Sequence, residues 1–130
     1  MRQTFSKKEK LKSKKDVGVL FAEGKYLKAF PLKLIYVELP ELDESIPYRV
    51  GVSVSKRLFK KAVNRNRIKR LIREAYRLNK QIIYKTESEK TYAMMFLYSS
   101  KDQPEYHTIE TALLKLLNKF KISENLTKNE

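Results

Sequence analysis

The chain has 130 residues, 42% of them hydrophobic, no cysteine, and a formal net charge of +14 from 29 Lys and Arg against 15 Asp and Glu. That length fits one domain with a sizeable core. The lack of cysteine excludes a disulfide framework, a thiol nucleophile and a thiolate metal site, and no run reaches the roughly 18 apolar residues of a membrane span.

Read from the N-terminus, the first 15 residues carry seven basic side chains and Glu9, with no apolar signal-peptide stretch. Ser13 followed by Asp16 resembles a capping box, and Gly24 is a natural stop, which predicts a helix over about 14–23. Its apolar positions are Val17, Leu20 and Phe21. LKLIYVEL at 32–39 is strand-like, with room for a further short strand around 26–29. The acidic, proline-bounded stretch 40–47 reads as a loop. YRVGVSVS at 48–55 alternates, with Val50, Val52 and Val54 toward a core and Arg49, Gly51, Ser53 and Ser55 on a small, polar face open to a ligand. The simplest pairing of these two longer strands is an antiparallel hairpin.

A second helix is predicted to start within 58–63. Ile68, Leu71, Ile72, Ala75 and Leu78 form its apolar stripe; Asn66, Lys69, Arg70, Arg73 and Arg77 lie opposite, with Arg65 and Arg67 on the borders. TYAMMFLY at 91–98 reads as a buried strand. Ile109, Leu113, Leu116, Leu117 and Phe120 mark a C-terminal amphipathic helix, with 122–130 as a frayed tail. The order is α-β-β-α-β-α in a single domain, plus the optional strand.

Charge is not spread evenly. Residues 56–80 hold 11 Lys or Arg and one acid, Glu74. Like charges repel along a helix face by a few tenths of a kcal/mol per pair, and a polyanion converts that penalty into attraction. Guanidinium forks also match phosphate oxygens bidentately. A membrane surface fits less well, because the apolar face of the basic helix is committed to a core. A DNA reading head is disfavoured, since no second helix immediately precedes the basic one. The single histidine, His107, lacks an orienting partner in sequence, and there is no phosphate-binding loop, dinucleotide fingerprint or zinc spacing. The chain therefore carries no catalytic apparatus of its own. Phe21 and Tyr36 are core residues or an aromatic platform beside the polar strand face, where a single strand could stack.

The run Val54-Ser55-Lys56, then Ala62-Val63-Asn64-Arg65-Asn66-Arg67-Ile68-Lys69-Arg70-Leu71-Ile72-Arg73, resembles the hallmark of the bacterial ribonuclease P protein subunit. Lys10-Leu11, Asp16, Leu20-Phe21 and Gly24 agree with the family's N-terminal pattern, and the resemblance covers about 5–120. Two departures stand out: Val17 replaces a second aromatic, and the loop at 57–61 is one residue longer.

The resemblance implies an α/β (α+β) two-layer sandwich. Its mixed sheet would have about four strands and three helices, with a left-handed β-α-β crossover against the usual rule. It implies a part in removing the 5′ leader of precursor tRNA, with catalysis by the RNA subunit and Mg²⁺ bound mainly there. The implied partners are ribonuclease P RNA and precursor tRNA, with no membrane or DNA, in the cytoplasm. The implied docking residues are Arg65, Asn66, Arg67, Lys69, Arg70 and Arg73. The implied leader cleft is Val17, Phe21, Tyr36, Ser53, Ser55, Lys56 and Arg57. A non-catalytic RNA-binding or ribosome-associated protein of similar fold, and a protein-only nuclease, are the alternatives.

Overall fold

The computed structural model describes residues 5, 7–11, 13–40, 46–84 and 90–126. The elements run α1 (Lys14–Glu23), β1 (Lys25–Ala29), β2 (Leu32–Leu39), β3 (Tyr48–Val54), α2 (Ala62–Asn79), α3 (Gln81–Tyr84), β4 (Thr91–Tyr98) and α4 (Tyr106–Ser123), after a 3₁₀ turn at Lys7–Glu9. The optional strand at 26–29 is real, and β1 with β2 makes the hairpin. Most of the acidic loop expected at 40–47 lies outside the described residues.

The sheet order is β1-β2-β4-β3. The expected hairpin of β2 with β3 does not form. β4 lies between them, antiparallel to β2 and parallel to β3. The physical reason is burial. Thr91, Tyr92, Ala93, Met94, Phe96 and Tyr98 are all buried, and a strand apolar on both faces is best shielded in the middle of a covered sheet. The crossover from β3 to β4 runs through α2.

Helices α2 and α4 cover one sheet face. There Leu34, Tyr36, Tyr48, Val50, Tyr92, Met94 and Phe96 pack with Ile68, Ile72, Leu113, Leu117 and Phe120. Helix α1 covers part of the other face, where Leu20 packs with Ile35, Leu39 and Ala93. The α2 stripe departs from expectation at Leu78, which is 36% exposed, while Tyr76 is fully buried in its place. Tyr76 lies nearer the centre of the buried arc and meets the edge of Phe5 at 5.5 Å.

Ser13 caps α1 by accepting from the Asp16 amide at 3.3 Å. The reciprocal half of a capping box is absent, because the Asp16 carboxylate pairs with Arg49 on β3 at 3.3 Å. Gly24 ends α1 for want of space. Its φ is −69°, and a Cβ there would sit 2.3 Å from the Leu20 carbonyl oxygen and 2.6 Å from Ile35 Cγ1.

The C-terminal helix runs into the residues expected to fray. It continues to Ser123, and Glu124 accepts from Tyr92 at 2.9 Å, from Tyr36 at 3.0 Å and from Lys25 at 3.3 Å. Residues 127–130 lie outside the described residues.

Candidate nucleic-acid interface

Two surfaces concentrate the sequence-predicted residues. The first is the outer face of α2. Burial of Ile68, Ile72, Ala75 and Tyr76 turns Asn66, Arg70 and Arg73 outward into solvent, as a period of 3.6 residues requires. Lys69 stands half-buried on one flank. Glu74, the sole acid of the helix, is taken by Arg77 one turn further on. The Arg77 hydrogen bond holds its carboxyl below the ordinary range. Glu74 is therefore ionised and committed away from Arg70 and Arg73, and their charge stays available for phosphate.

The two border arginines are positioned differently. Arg65 donates to the carbonyls of Phe59 and Lys60 at 2.7 and 2.8 Å. Arg67 donates to Gln103 Oε1 at 3.0 Å and to the Pro104 carbonyl at 3.1 Å. Each therefore ties a loop beside the helix N-terminus: the loop from β3 on one flank, the loop from β4 on the other. Phe59 anchors the 57–61 segment. Its ring is buried 5.9 Å from that of Tyr98, and its amide donates to the Ser55 carbonyl at 3.0 Å. Ser55 Oγ accepts from the Arg57 amide at 3.1 Å. This turn leaves Ser55, Lys56 and Arg57 exposed at the end of β3.

The second surface is the sheet face on the α1 side. Val17 and Phe21, four residues apart, share one flank of α1; Val17 is half-buried and Phe21 is 50% exposed. Ser53 lies on this face, paired with Leu97. Two of the four small or polar positions expected on β3 are closed. Leu11 lies over Gly51, 3.5 Å from where a Cβ would stand, and Arg49 is engaged by Asp16.

Tyr36 does not belong to this surface. It is 1% exposed and faces α4, with its ring edge-on to Phe120 at 4.9 Å. Its hydroxyl proton goes to Glu124, so the Ser123 hydroxyl 2.8 Å away donates to Tyr36. Burial is the chief cause that raises the Tyr36 pKa, opposed by the Ser123 bond and reinforced by Glu124. Strand alternation gives the α1 side of β2 to Lys33, Ile35 and Val37 instead. Sequence reasoning missed Tyr26, 53% exposed, on this same side through its pairing with Ile35. The signal for it was the short strand itself, whose alternation places Tyr26 and Lys28 together.

Among the described residues no group of three His, Asp or Glu side chains is arranged to hold a metal ion, and no helix is long and apolar enough to cross a membrane. His107 is exposed at the start of α4.

Comparison with known proteins gives one consistent family. A family model described as Ribonuclease P matches residues 5–121. The ribonuclease P protein component of Porphyromonas gingivalis is 38% identical over 115 residues, 87% of this chain and 83% of that one. The corresponding component from Clostridium botulinum is 34% identical over 114 residues, 87% of this chain and 95% of that one. Among solved structures, the RNase P protein of Thermotoga maritima superposes with a TM-score of 0.67 at 26% identity, covering 85% of this chain and 96% of that one. A Staphylococcus aureus RNase P protein gives 0.67 at 23% identity over 87% and 95%, a likeness of fold.

Proposed function

The chain belongs to the Ribonuclease P family of protein components, and from that membership we propose how its two surfaces divide the work of the ribonucleoprotein. The holoenzyme matures tRNA by cutting the 5′ leader from its precursor. The protein's part is to bind RNA twice, once to the catalytic RNA subunit and once to the leader.

The observation that carries this division is the separation of an arginine face from an open sheet face. Arg70, Arg73, Asn66 and Lys69 dock on phosphates and riboses of the ribonuclease P RNA, with Arg65 and Arg67 fixing the loops on either side and adding their own charge. Ser53, Ser55, Lys56 and Arg57 contact the backbone of the leader, and Phe21, beside Val17, offers a stacking surface. Stacking on an aromatic is worth roughly 1–3 kcal/mol per base and tolerates any sequence, which suits a substrate class whose leaders differ. Each phosphate neutralised releases counterions, so both contacts weaken with salt.

Catalysis belongs to the RNA subunit, which also holds most of the Mg²⁺. What the protein supplies is position: the docked helix fixes the cleft relative to the RNA, and the cleft holds the leader extended away from the scissile bond. The absence of cysteine suits the reducing cytoplasm, where we place the protein.

The test is cleavage of a precursor tRNA at low Mg²⁺ by a bacterial ribonuclease P RNA, with and without the protein. Leader release that depends on the protein, with none from protein alone, is the expected result. Tight RNA binding without stimulation would favour a non-catalytic RNA-binding role, and cleavage by the protein alone would make it a nuclease in its own right.

A further inference from the structure

The register places one residue from each strand in a single row across the α1-side face: Lys28 opposite Lys33, Lys33 opposite Leu97, and Leu97 opposite Ser53. Two lysines thus stand directly opposite one another on neighbouring strands, an arrangement that is destabilising in itself. No acid interrupts the row. Lysines on an edge strand are a common guard against edge-to-edge pairing, and that accounts for Lys28 on β1. It does not account for Lys33, because β2 is an inner strand with neighbours on both sides. A third amine arrives from the opposite layer, where Lys119 of α4 reaches around the sheet edge to the Lys28 carbonyl. Two residues before Lys28, on the same face, Tyr26 is 53% exposed.

We propose that the leader groove does not end over β3 and β4 but continues across the sheet to β1. Lys28 and Lys33 hold leader phosphates, and Tyr26 stacks on a base farther from the cleavage site than the one at Phe21. The inference rests on the leader-cleft reading given above. Charge complementarity and continuity with Ser53 carry it: the row is unbroken from the serine at the β3 end to the lysines at the β1 end. Four strands at about 4.8 Å spacing make it about 14 Å long. Its direction follows from the sheet order. Strand β3 joins α2, the helix docked on the catalytic RNA, and β1 is the opposite edge. A strand leaving the scissile bond therefore meets Ser53 first and Lys28 last. Among the described residues Tyr26 is, with Phe21, one of two exposed aromatics on this side of the sheet.

The experiment measures affinity of the reconstituted holoenzyme for mature tRNA and for precursors whose leader is lengthened one nucleotide at a time. Wild type is compared with Phe21→Ala, Tyr26→Ala, Tyr26→Phe, and Lys28→Ala combined with Lys33→Ala. Phe21→Ala is expected to lose affinity from the shorter leaders onward. Tyr26→Ala and the double lysine variant are expected to match wild type on short leaders and to lose about tenfold on long ones. Tyr26→Phe should keep the long-leader affinity, and the lysine variant should shallow the salt slope by about 1.4 for two single-strand phosphates. If Phe21→Ala behaves as expected while the β1-side variants equal wild type at every length, the extension is wrong and the cleft stands. Equal losses on mature tRNA would overturn it too, placing the lysines on the tRNA body or the RNA subunit. If Phe21→Ala has no effect at any length, the cleft reading fails and the extension falls with it.

Discussion

The Arg65 guanidinium donates to the Phe59 carbonyl at 2.7 Å, so the first arginine of the basic helix is also a brace for the loop that leads into it. Arg70, one and a half turns on, points into solvent. The two arginines should therefore fail differently. Arg70→Ala should leave unfolding free energy within about 0.5 kcal/mol of wild type. It should weaken assembly with ribonuclease P RNA and reduce the salt slope by about 0.9 for one duplex phosphate. Arg65→Ala should show a similar binding loss and in addition lose about 1 kcal/mol of stability, because two carbonyls lose a charged donor. Denaturant unfolding alongside salt-dependent RNA titration separates them; identical stability for both variants would mean the brace is energetically idle.

Phe21 is half-exposed on the α1 flank that faces away from the Leu20 core, and its ring is available to a base. Phe21→Ala should spare binding to the RNA subunit and weaken precursor tRNA about tenfold relative to mature tRNA. Val17→Phe tests the same flank by gain. With a ring added one turn earlier, precursor affinity should rise a few-fold, while mature tRNA stays unchanged. Equal shifts for both substrates, in either variant, would remove this flank from the leader site.

Lys80 is 3% exposed, and its ammonium lies 2.8 Å from Glu9, which also accepts from Tyr84 at 2.9 Å. Burial first, then the Glu9 charge and hydrogen bond, push the Tyr84 pKa up, so the phenol stays protonated and donating at neutral pH. The trio fastens the N-terminal segment, whose Leu11 amide donates to Val50 along the outer edge of β3, to the end of α2. Glu9→Ala should cost about 2 kcal/mol or more, since it strands a buried charge. Glu9→Gln with Lys80→Met should recover much of that loss, because paired removal of buried charges is often neutral. Thermal unfolding of the single and double variants decides; equal destabilisation would show that packing, and not charge, holds the segment.

Much of the fold was legible because local signals were strong: Ser13 and Gly24 bound α1, and the Ile68–Ile72–Ala75 spacing sets the buried face of α2. What local signals could not supply was strand order. Sequential strands usually pair, which favours β2 with β3, yet the unbroken apolar run of β4 was itself the sign of a central strand. Tyr36 was misassigned for a related reason. On β2 both Leu34 and Ile35 are buried, as is Leu39, so alternation does not say which side is which. Only pairing with Met94 fixes Tyr36 on the α4 side. The arginine face needed no tertiary information beyond the direction of the core, whereas Tyr26 and the lysine row exist only through cross-strand register.

Glu124 closes the far end of α4 on the sheet. Burial alone would raise its carboxyl pKa, but hydrogen bonds from Tyr92, Tyr36 and Lys25, with the Lys25 charge, outweigh burial and hold it below the ordinary range. The folded state thus binds the Glu124 proton less readily than the unfolded chain, and folding favours the carboxylate. The stabilisation is fully present above the unfolded glutamate pKa of about 4.3. It is lost as pH falls through that value and on through the lower folded one. Glu74 and Glu110 are likewise lowered and add their own acid dependence, so the informative quantity is a difference between two proteins. Glu124→Gln should be less stable than wild type by about 1 kcal/mol near neutral pH, and that gap should close as both are titrated below pH of about 4. Urea unfolding across that range measures it. A gap that stays constant with pH would assign the loss to altered hydrogen-bond geometry at the α4 terminus, and would remove the ionised carboxylate as the clasp between β1, β2, β4 and α4.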